Sequence, residues 1–238
     1  MIKVIISGAK GKMGRYIAEL IKKREDMKVV AGVDISSEDG DFTIYDSILK
    51  VPDKADVIID FSNPAALGEL CKYAVDKKIA MVIGTTGLNE EHWNIVKKAS
   101  ENIPIFISHN MSLGVFMLIS LVKQAAAVLE GFDIEIIEKH HNQKIDAPSG
   151  TALMIADAIK EVRNEAEYVY GRAEKNKRRQ KNEIGFHSIR GGSIVGEHDV
   201  ILAGEDEIVE ISHSVSSRKV FAAGAIKAAA FTVNQKPG

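Results

Sequence analysis

At 238 residues the chain exceeds the usual size of a single domain, so one large or two modest domains are expected. Its 45% hydrophobic and 27% charged residues are ordinary for a soluble protein that buries a core. A net charge of -2 gives no global attraction to nucleic acid or to an anionic membrane, so any anion is handled locally.

The apolar run after Met1 is only "VIIS", too short for a signal peptide, and no stretch approaches a membrane span. The one cysteine, Cys71, sits in the helical pattern "LGELCKYAV". That leaves no disulfide framework and points to a reducing, cytoplasmic compartment.

The first hundred residues alternate two periodicities. "KVIIS" (Lys3–Ser7), "KVVAGV" (Lys28–Val33), "DVIIDF" (Asp56–Phe61), "IAMVIG" (Ile79–Gly84) and "PIFIS" (Pro104–Ser108) are short, apolar and mostly β-branched. Such runs suit parallel strands buried on both faces. Met13, Ile17, Leu20 and Ile21 line a helical face after the first run; Leu67, Leu70, Ala74 and Val75 do so after the third. Pro64 suits the first turn of that later helix. The rhythm predicts an open, doubly wound α/β sheet.

The first strand ends in "GAKGKMG", with Gly8, Gly11 and Gly14 ahead of a helix, spaced G-x-x-G-x-x-G. This is the layout of a Rossmann-type dinucleotide turn. The first glycine permits the turn, the second lets backbone approach a pyrophosphate, and the third lets the helix pack on the strand. The pyrophosphate then rests on the helix N-terminus. Asp34 ends the second strand, where a carboxylate grips the ribose hydroxyls. Asp34 favours NADH by repelling the 2′-phosphate of NADPH; Lys10 and Lys12 could reach that phosphate. Dual use with a lean to NADH is expected. "DFSNP" (Asp60–Pro64), "GTTG" (Gly84–Gly87) and "SHNMS" (Ser108–Ser112) fall at further strand ends and offer polar groups to a nicotinamide ribose.

From about Ser112 the pattern changes to α+β. A helix over Leu113–Leu129 leads to "FDIEIIEKHH", which alternates Ile134 and Ile136 with Glu135 and Glu138 as a half-buried strand does. A second helix follows "APSGT", then strands around Ile184–Ile189, Ser193–Leu202 and Glu207–His213. A helix over Ser217–Gln235 closes the chain despite Gly224. The basic run "GRAEKNKRRQKNE" (Gly171–Glu183) lacks the interleaved aromatics of a nucleic-acid patch and reads as a solvated loop.

Within "EKHHNQKIDAPSGTAL", His140 and His141 are adjacent on a strand and face opposite ways, with no third ligand at metal spacing, so no metal is expected. Lys144 supplies a positive charge, Pro148 keeps Ala147 extended, and Ser149 caps the next helix. The N–H groups of Gly150 and Thr151 then offer a carboxylate cradle beside a histidine that can give a proton. An anionic substrate, a proton donor and a hydride from the first domain are the expected parts.

"GAKGKMG", "DFSNP", "VIGTTG", "NMSLGV", "EIIEKHHNQKIDAPSGTA", "EIGFHSIRGGSIVGEH" and "SHSVSSR" run in order along nearly the whole chain. With these motifs the sequence resembles the 4-hydroxy-tetrahydrodipicolinate (dihydrodipicolinate) reductases of the diaminopimelate route to lysine. The resemblance implies hydride transfer from NAD(P)H to a cyclic unsaturated dicarboxylate after loss of water. It implies His140 as proton donor and Lys144 as second donor and carboxylate partner, with His141, Ser149, Gly150 and Thr151 holding the substrate. It places the cofactor on Gly8, Ala9, Lys10, Gly11, Lys12, Met13, Asp34, Gly84, Thr85, Thr86, Ser108, His109, Asn110 and Met111. It also implies a homotetramer joined through the sheet of the second domain. Met111 stands where the family commonly has an aromatic, and family members usually run a few residues past "NQKPG". The expected domains are a dinucleotide-binding domain, 1–111 with 218–238, and a substrate and oligomerisation domain, 112–217. The rivals are an aspartate- or homoserine-type dehydrogenase of the same plan and a nucleotide sensor without turnover. "HHNQK" joined to "DAPSGT" argues against the first, and the presence of His140 with Lys144 against the second.

Overall fold

The computed structural model describes residues 1–52, 54–173 and 177–238. The chain forms two compact units, Met1–Met111 with Lys219–Gly238 and Ser112–Arg218. Arg218, expected with the first, belongs to the second.

The first unit is a six-stranded parallel sheet of β1 (Ile2–Ser7), β2 (Met27–Val33), β3 (Ile44–Tyr45), β4 (Val57–Asp60), β5 (Ala80–Ile83) and β6 (Ile105–Ile107). The spatial order is β3-β2-β1-β4-β5-β6, so the winding reverses between β1 and β4. A crevice opens outside the carboxyl ends at such a reversal. Helix α1 (Lys12–Ile21) joins β1 to β2, α2 (Leu67–Lys77) joins β4 to β5, and α3 (Glu90–Ser100) joins β5 to β6. Both faces are covered. Val4, Ile6 and Ile59 pack with Ile17 and Ile21 on one side, and Ile5, Ile58 and Met81 pack with Leu67, Leu70 and Ala74 on the other. Pro64 opens a 3-10 turn, Pro64–Ala66, rather than α2 itself; the Asn63 side chain caps that turn by accepting from Ala65 N–H.

Helix α6 (Lys219–Thr232) lays Ala222, Ala225, Ile226 and Ala229 on the first face. Gly224, which weakens the helix by propensity, has a packing reason here: a Cβ there would stand 1.6 Å from the Met111 carbonyl oxygen.

The second unit is a mixed sheet of β7 (Asp133–His140), β8 (Glu167–Tyr170), β9 (Glu183–Arg190), β10 (Gly196–Ala203) and β11 (Ile208–Val215), in the order β11-β10-β7-β9-β8. Helices α4 (Leu113–Val128) and α5 (Gly150–Lys160) cover one face, where Leu118, Val122, Ile155 and Ile159 meet Ile134, Ile136, Phe186, Val200 and Leu202. The strand expected from Ser193 starts at Gly196, and β3 and β8 were not expected at all.

Two readings of this unit need correction. Glu138 does not share the face of Glu135: with a period of two it lies on the side of Ile134 and Ile136, fully buried. The basic run is not wholly solvated either. Arg172 pairs with Glu135 and Glu183 at 2.8 Å each, and Arg179 with Asp133 at 2.7 Å and Glu135 at 3.1 Å. Residues 174–176 of that run lie outside the described residues.

Candidate active site

In the first unit the turn after β1 is shaped by missing side chains. Gly8 has φ +78°, and a Cβ on it would stand 2.5 Å from the Phe61 carbonyl oxygen. A Cβ on Gly14 would stand 2.2 Å from the Gly8 carbonyl oxygen, so α1 can lie this close to the turn only with glycine there. Gly11 is the N-cap of α1; it has no side chain to cap the first turn, and that turn holds no acidic residue. Its leading N–H groups therefore have no capping carboxylate of their own, and Gly11 borders the adjoining cleft. That cleft has a volume of about 510 Å³ and is lined by Gly8, Lys10, Gly11, Asp34, Phe61 and Ser62 among others.

Asp34 sits at the mouth with its carboxylate already engaged, accepting from Lys10 N–H at 2.7 Å and from Ile35 N–H at 2.8 Å. The Lys10 ammonium reaches Ser36 Oγ at 3.0 Å and Glu38 at 2.9 Å. Lys12 is exposed at the start of α1.

The remaining expected cofactor residues do not line that cleft. Ala9 and Met111 are buried in the core, and Met13 packs against it. Thr85 is buried, its hydroxyl donating to Asp60 at 2.7 Å and accepting from Ser62 N–H at 3.0 Å. Gly84 lies under the Phe61 ring, 2.4 Å from where a Cβ would stand. Thr86 is exposed. Ser108 Oγ donates to Asn110 O at 2.8 Å, and His109 meets Trp93 edge-on at 5.9 Å between ring centres.

In the second unit, His140 ends β7 on the buried face. Its Nδ1 lies 2.6 Å from Glu138 Oε2. Arg190, at the end of β9, donates to both Glu138 oxygens, at 2.8 and 2.6 Å, and Ser149 N–H donates to Oε1 at 3.2 Å. Burial alone pushes a carboxyl up, but the bonds from His140, Arg190 and Ser188 hold Glu138 far below the usual carboxylate range.

Ser149, expected to touch substrate, is itself buried with its polar groups spent inside the fold. Its hydroxyl caps α5 by accepting from Ala152 N–H at 3.2 Å and lies 2.9 Å from His198 Nε2. Burial, with His140 nearby, pushes the His198 imidazole down to about 4. Gly150, by contrast, is exposed, with open space where a Cβ would be, and Thr151 is half-buried beside it.

His141, Lys144 and Arg218 complete the cluster. Arg218 Nη2 lies 3.2 Å from His141 Nε2, and the His141 pKa is lowered by partial burial and then by the charges of Arg218, His140, Lys144 and Arg190. Lys144 donates to Asp146 at 2.7 Å. Cations thus gather where a bound carboxylate would be stabilised.

Sequence reasoning named neither Glu138, Arg190, His198 nor Arg218 as site residues. The period-two count from Ile136 could have placed Glu138 on the buried face; Arg190, His198 and Arg218 come from β9, β10 and the residue before α6, within motifs that carried the resemblance but no chemistry of their own.

A family model described as dihydrodipicolinate reductase, N-terminus, matches residues 2–111, and its C-terminus counterpart matches residues 114–238. The chain belongs to the dihydrodipicolinate reductase family. It is 59% identical to the 4-hydroxy-tetrahydrodipicolinate reductase of Caldanaerobacter subterraneus subsp. tengcongensis, covering 100% of this chain and 95% of the relative. With the Clostridium tetani enzyme of the same name the identity is 50%, covering 100% and 94%. A dipicolinate-bound dihydrodipicolinate reductase from Paenisporosarcina sp. TG-14 superposes with a TM-score of 0.78 at 27% identity, covering 99% of this chain and 94% of that one. The two matched stretches together cover both units of the chain.

Proposed function

We propose that the chain reduces the cyclic unsaturated dicarboxylate formed when 4-hydroxy-tetrahydrodipicolinate loses water, giving tetrahydrodipicolinate for the diaminopimelate route to lysine. The observation that carries this reading is the gathering of Lys144, Arg190 and Arg218 around His140 and His141 in the second unit, three cations against the two carboxylates Glu138 and Asp146, a site suited to an anionic substrate. NADH or NADPH, when bound, supplies the hydride.

The first unit fits a dinucleotide. Gly8 and Gly11 remove two side chains from the turn, and the uncapped start of α1 favours a pyrophosphate. Asp34 is placed for ribose hydroxyls. Lys10 is partly neutralised by Glu38, which supports the lean to NADH; exposed Lys12 remains for the 2′-phosphate of NADPH.

In the second unit Lys144 and Arg218 hold carboxylates, with the N–H groups of Gly150 and Thr151 at the start of α5. Reduction leaves an electron-rich enamine that must be protonated on carbon, and His140 delivers that proton. His141 orients the substrate rim, and Lys144 is the second proton source. Assembly as a homotetramer belongs to the same proposal. Its support is the sheet face opposite α4 and α5, where half-exposed Ile137, Ile189 and Ile201 adjoin Lys139 and its partners Glu197 and Asp199. Cytoplasmic residence is supported by an unpaired, buried Cys71; among the described residues no helix is long and apolar enough to cross a membrane.

The test is NADH and NADPH oxidation with substrate made in situ from pyruvate and aspartate semialdehyde. Turnover that requires both precursors is expected. Tight NADH binding without any oxidation would contradict the reading and leave a nucleotide sensor.

A further inference from the structure

The proton transfer proposed above needs a hydrogen on the His140 nitrogen that faces the substrate, and the geometry around Glu138 bears on which nitrogen that is. Glu138 has no exposed surface, yet its two oxygens accept from His140 Nδ1, from both terminal nitrogens of Arg190 and from Ser149 N–H. A carboxylate with four donors stays ionised and can only accept. The hydrogen on the His140–Glu138 bond therefore sits on Nδ1 whether the imidazole is neutral or charged.

Arg190 makes the arrangement rigid. Its guanidinium grips Glu138 in a bidentate pair, and Nη2 also donates to the Asp146 carbonyl at 2.7 Å. Strand β7, strand β9 and the segment leading into α5 are thus fixed to one another at the histidine. On the other side of the ring, Nε2 makes no hydrogen bond among the described residues. It faces Gly196 of β10, where a Cβ would stand 3.2 Å from Nε2.

We propose that Glu138, clamped by Arg190, is a positioning residue that locks His140 in the Nδ1–H tautomer and confines proton transfer to Nε2. This rests on His140 being the proton donor proposed above. In the step itself the Nε2–H bond of the imidazolium breaks as a C–H bond forms on the substrate enamine. The imidazole left behind keeps its Nδ1–H on Glu138, and its Nε2 lone pair takes the next proton from solvent. Without the carboxylate the neutral ring could place its hydrogen on either nitrogen, and the ring plane would lose its anchor.

Two measurements test this. In the native protein labelled with 15N-histidine, at a pH where the ring is neutral, His140 is expected to show a protonated Nδ1 and an unprotonated Nε2. An Nε2–H tautomer would overturn the proposal, and this readout needs no Glu138 variant to fold. The second is a double-mutant cycle. Glu138→Gln is expected to lower kcat by about 10- to 10³-fold with KM changed less than about threefold, and to add less than about twofold in a His140→Gln background. If His140→Gln alone leaves kcat unchanged, the donor reading fails. If His140→Gln is impaired and Glu138→Gln adds its full loss on top, the donor reading stands and the positioning role falls.

Discussion

The turn after β1 and the end of β7 handle charge by opposite means. At the turn, Gly8, Gly11 and Gly14 remove side chains where a Cβ would crowd the backbone, Asp34 is held by backbone N–H groups, and Lys10 is paired with Glu38. At the end of β7 a fully buried carboxylate, a bidentate arginine and a histidine held neutral near pH 7 lie within one hydrogen-bonded network. A backbone surface tolerates different ligands with the same phosphates, whereas a buried charge network fixes one ring in one protonation pattern. The first device therefore suits a cofactor shared with many enzymes, and the second suits a single proton transfer.

The sharpest way to break the contrast is at the histidines. His140→Gln should lower kcat by about 10²–10⁴-fold with a modest change in KM. His141→Gln should do less to kcat and more to KM. A raised KM with unaltered kcat in His140→Gln would make it a binding residue and shift the proton to Lys144 or water.

His198 gives the second unit a pH signature of its own. Its pKa is pushed from 6.5 to about 4 in the folded chain, so between those values the unfolded chain binds a proton that the folded one refuses. The contribution of this residue is complete above pH 6.5 and is lost as the pH falls toward 4. At about 1.4 kcal/mol per unit, the loss reaches at most about 3 kcal/mol. Urea midpoints at pH 7 and pH 4.5 should differ less in His198→Asn than in the native chain; an unchanged difference would show that His198 is not the source.

A smaller effect sharpens the picture of the turn. Lys12→Ala should weaken NADPH more than NADH by about 1.5–3 kcal/mol, the range for a lost charge-assisted phosphate contact. Equal loss for both cofactors would show that Lys12 does not read the 2′-phosphate.

The same contrast explains what the sequence discloses. The glycine turn is local, so "GAKGKMG" announces it, and β1, β4 and β5 read clearly because both their faces are buried. The short β3 and β8, two and four residues long, give periodicity too little length to register. The charge network is non-local: Glu138, Arg190 and His198 meet from β7, β9 and β10, and Arg218 joins His141 across 77 positions of sequence. Only the end of β7, with His140, His141 and Lys144 close in sequence, is visible without the fold. Ser149 is legible as a helix cap, but its buried bond to His198 is not.

The central claim is that the hydride donor and its acceptor are held by different units of the chain. Its most direct test is one pair of calorimetric titrations of Lys144→Ala, first with NADH and then with dipicolinate, a planar dicarboxylate probe. The account predicts an NADH affinity close to that of the native protein and a dipicolinate affinity lowered by about tenfold or more, as loss of a charge-assisted contact requires. Loss of NADH binding with dipicolinate binding intact would contradict the division of labour.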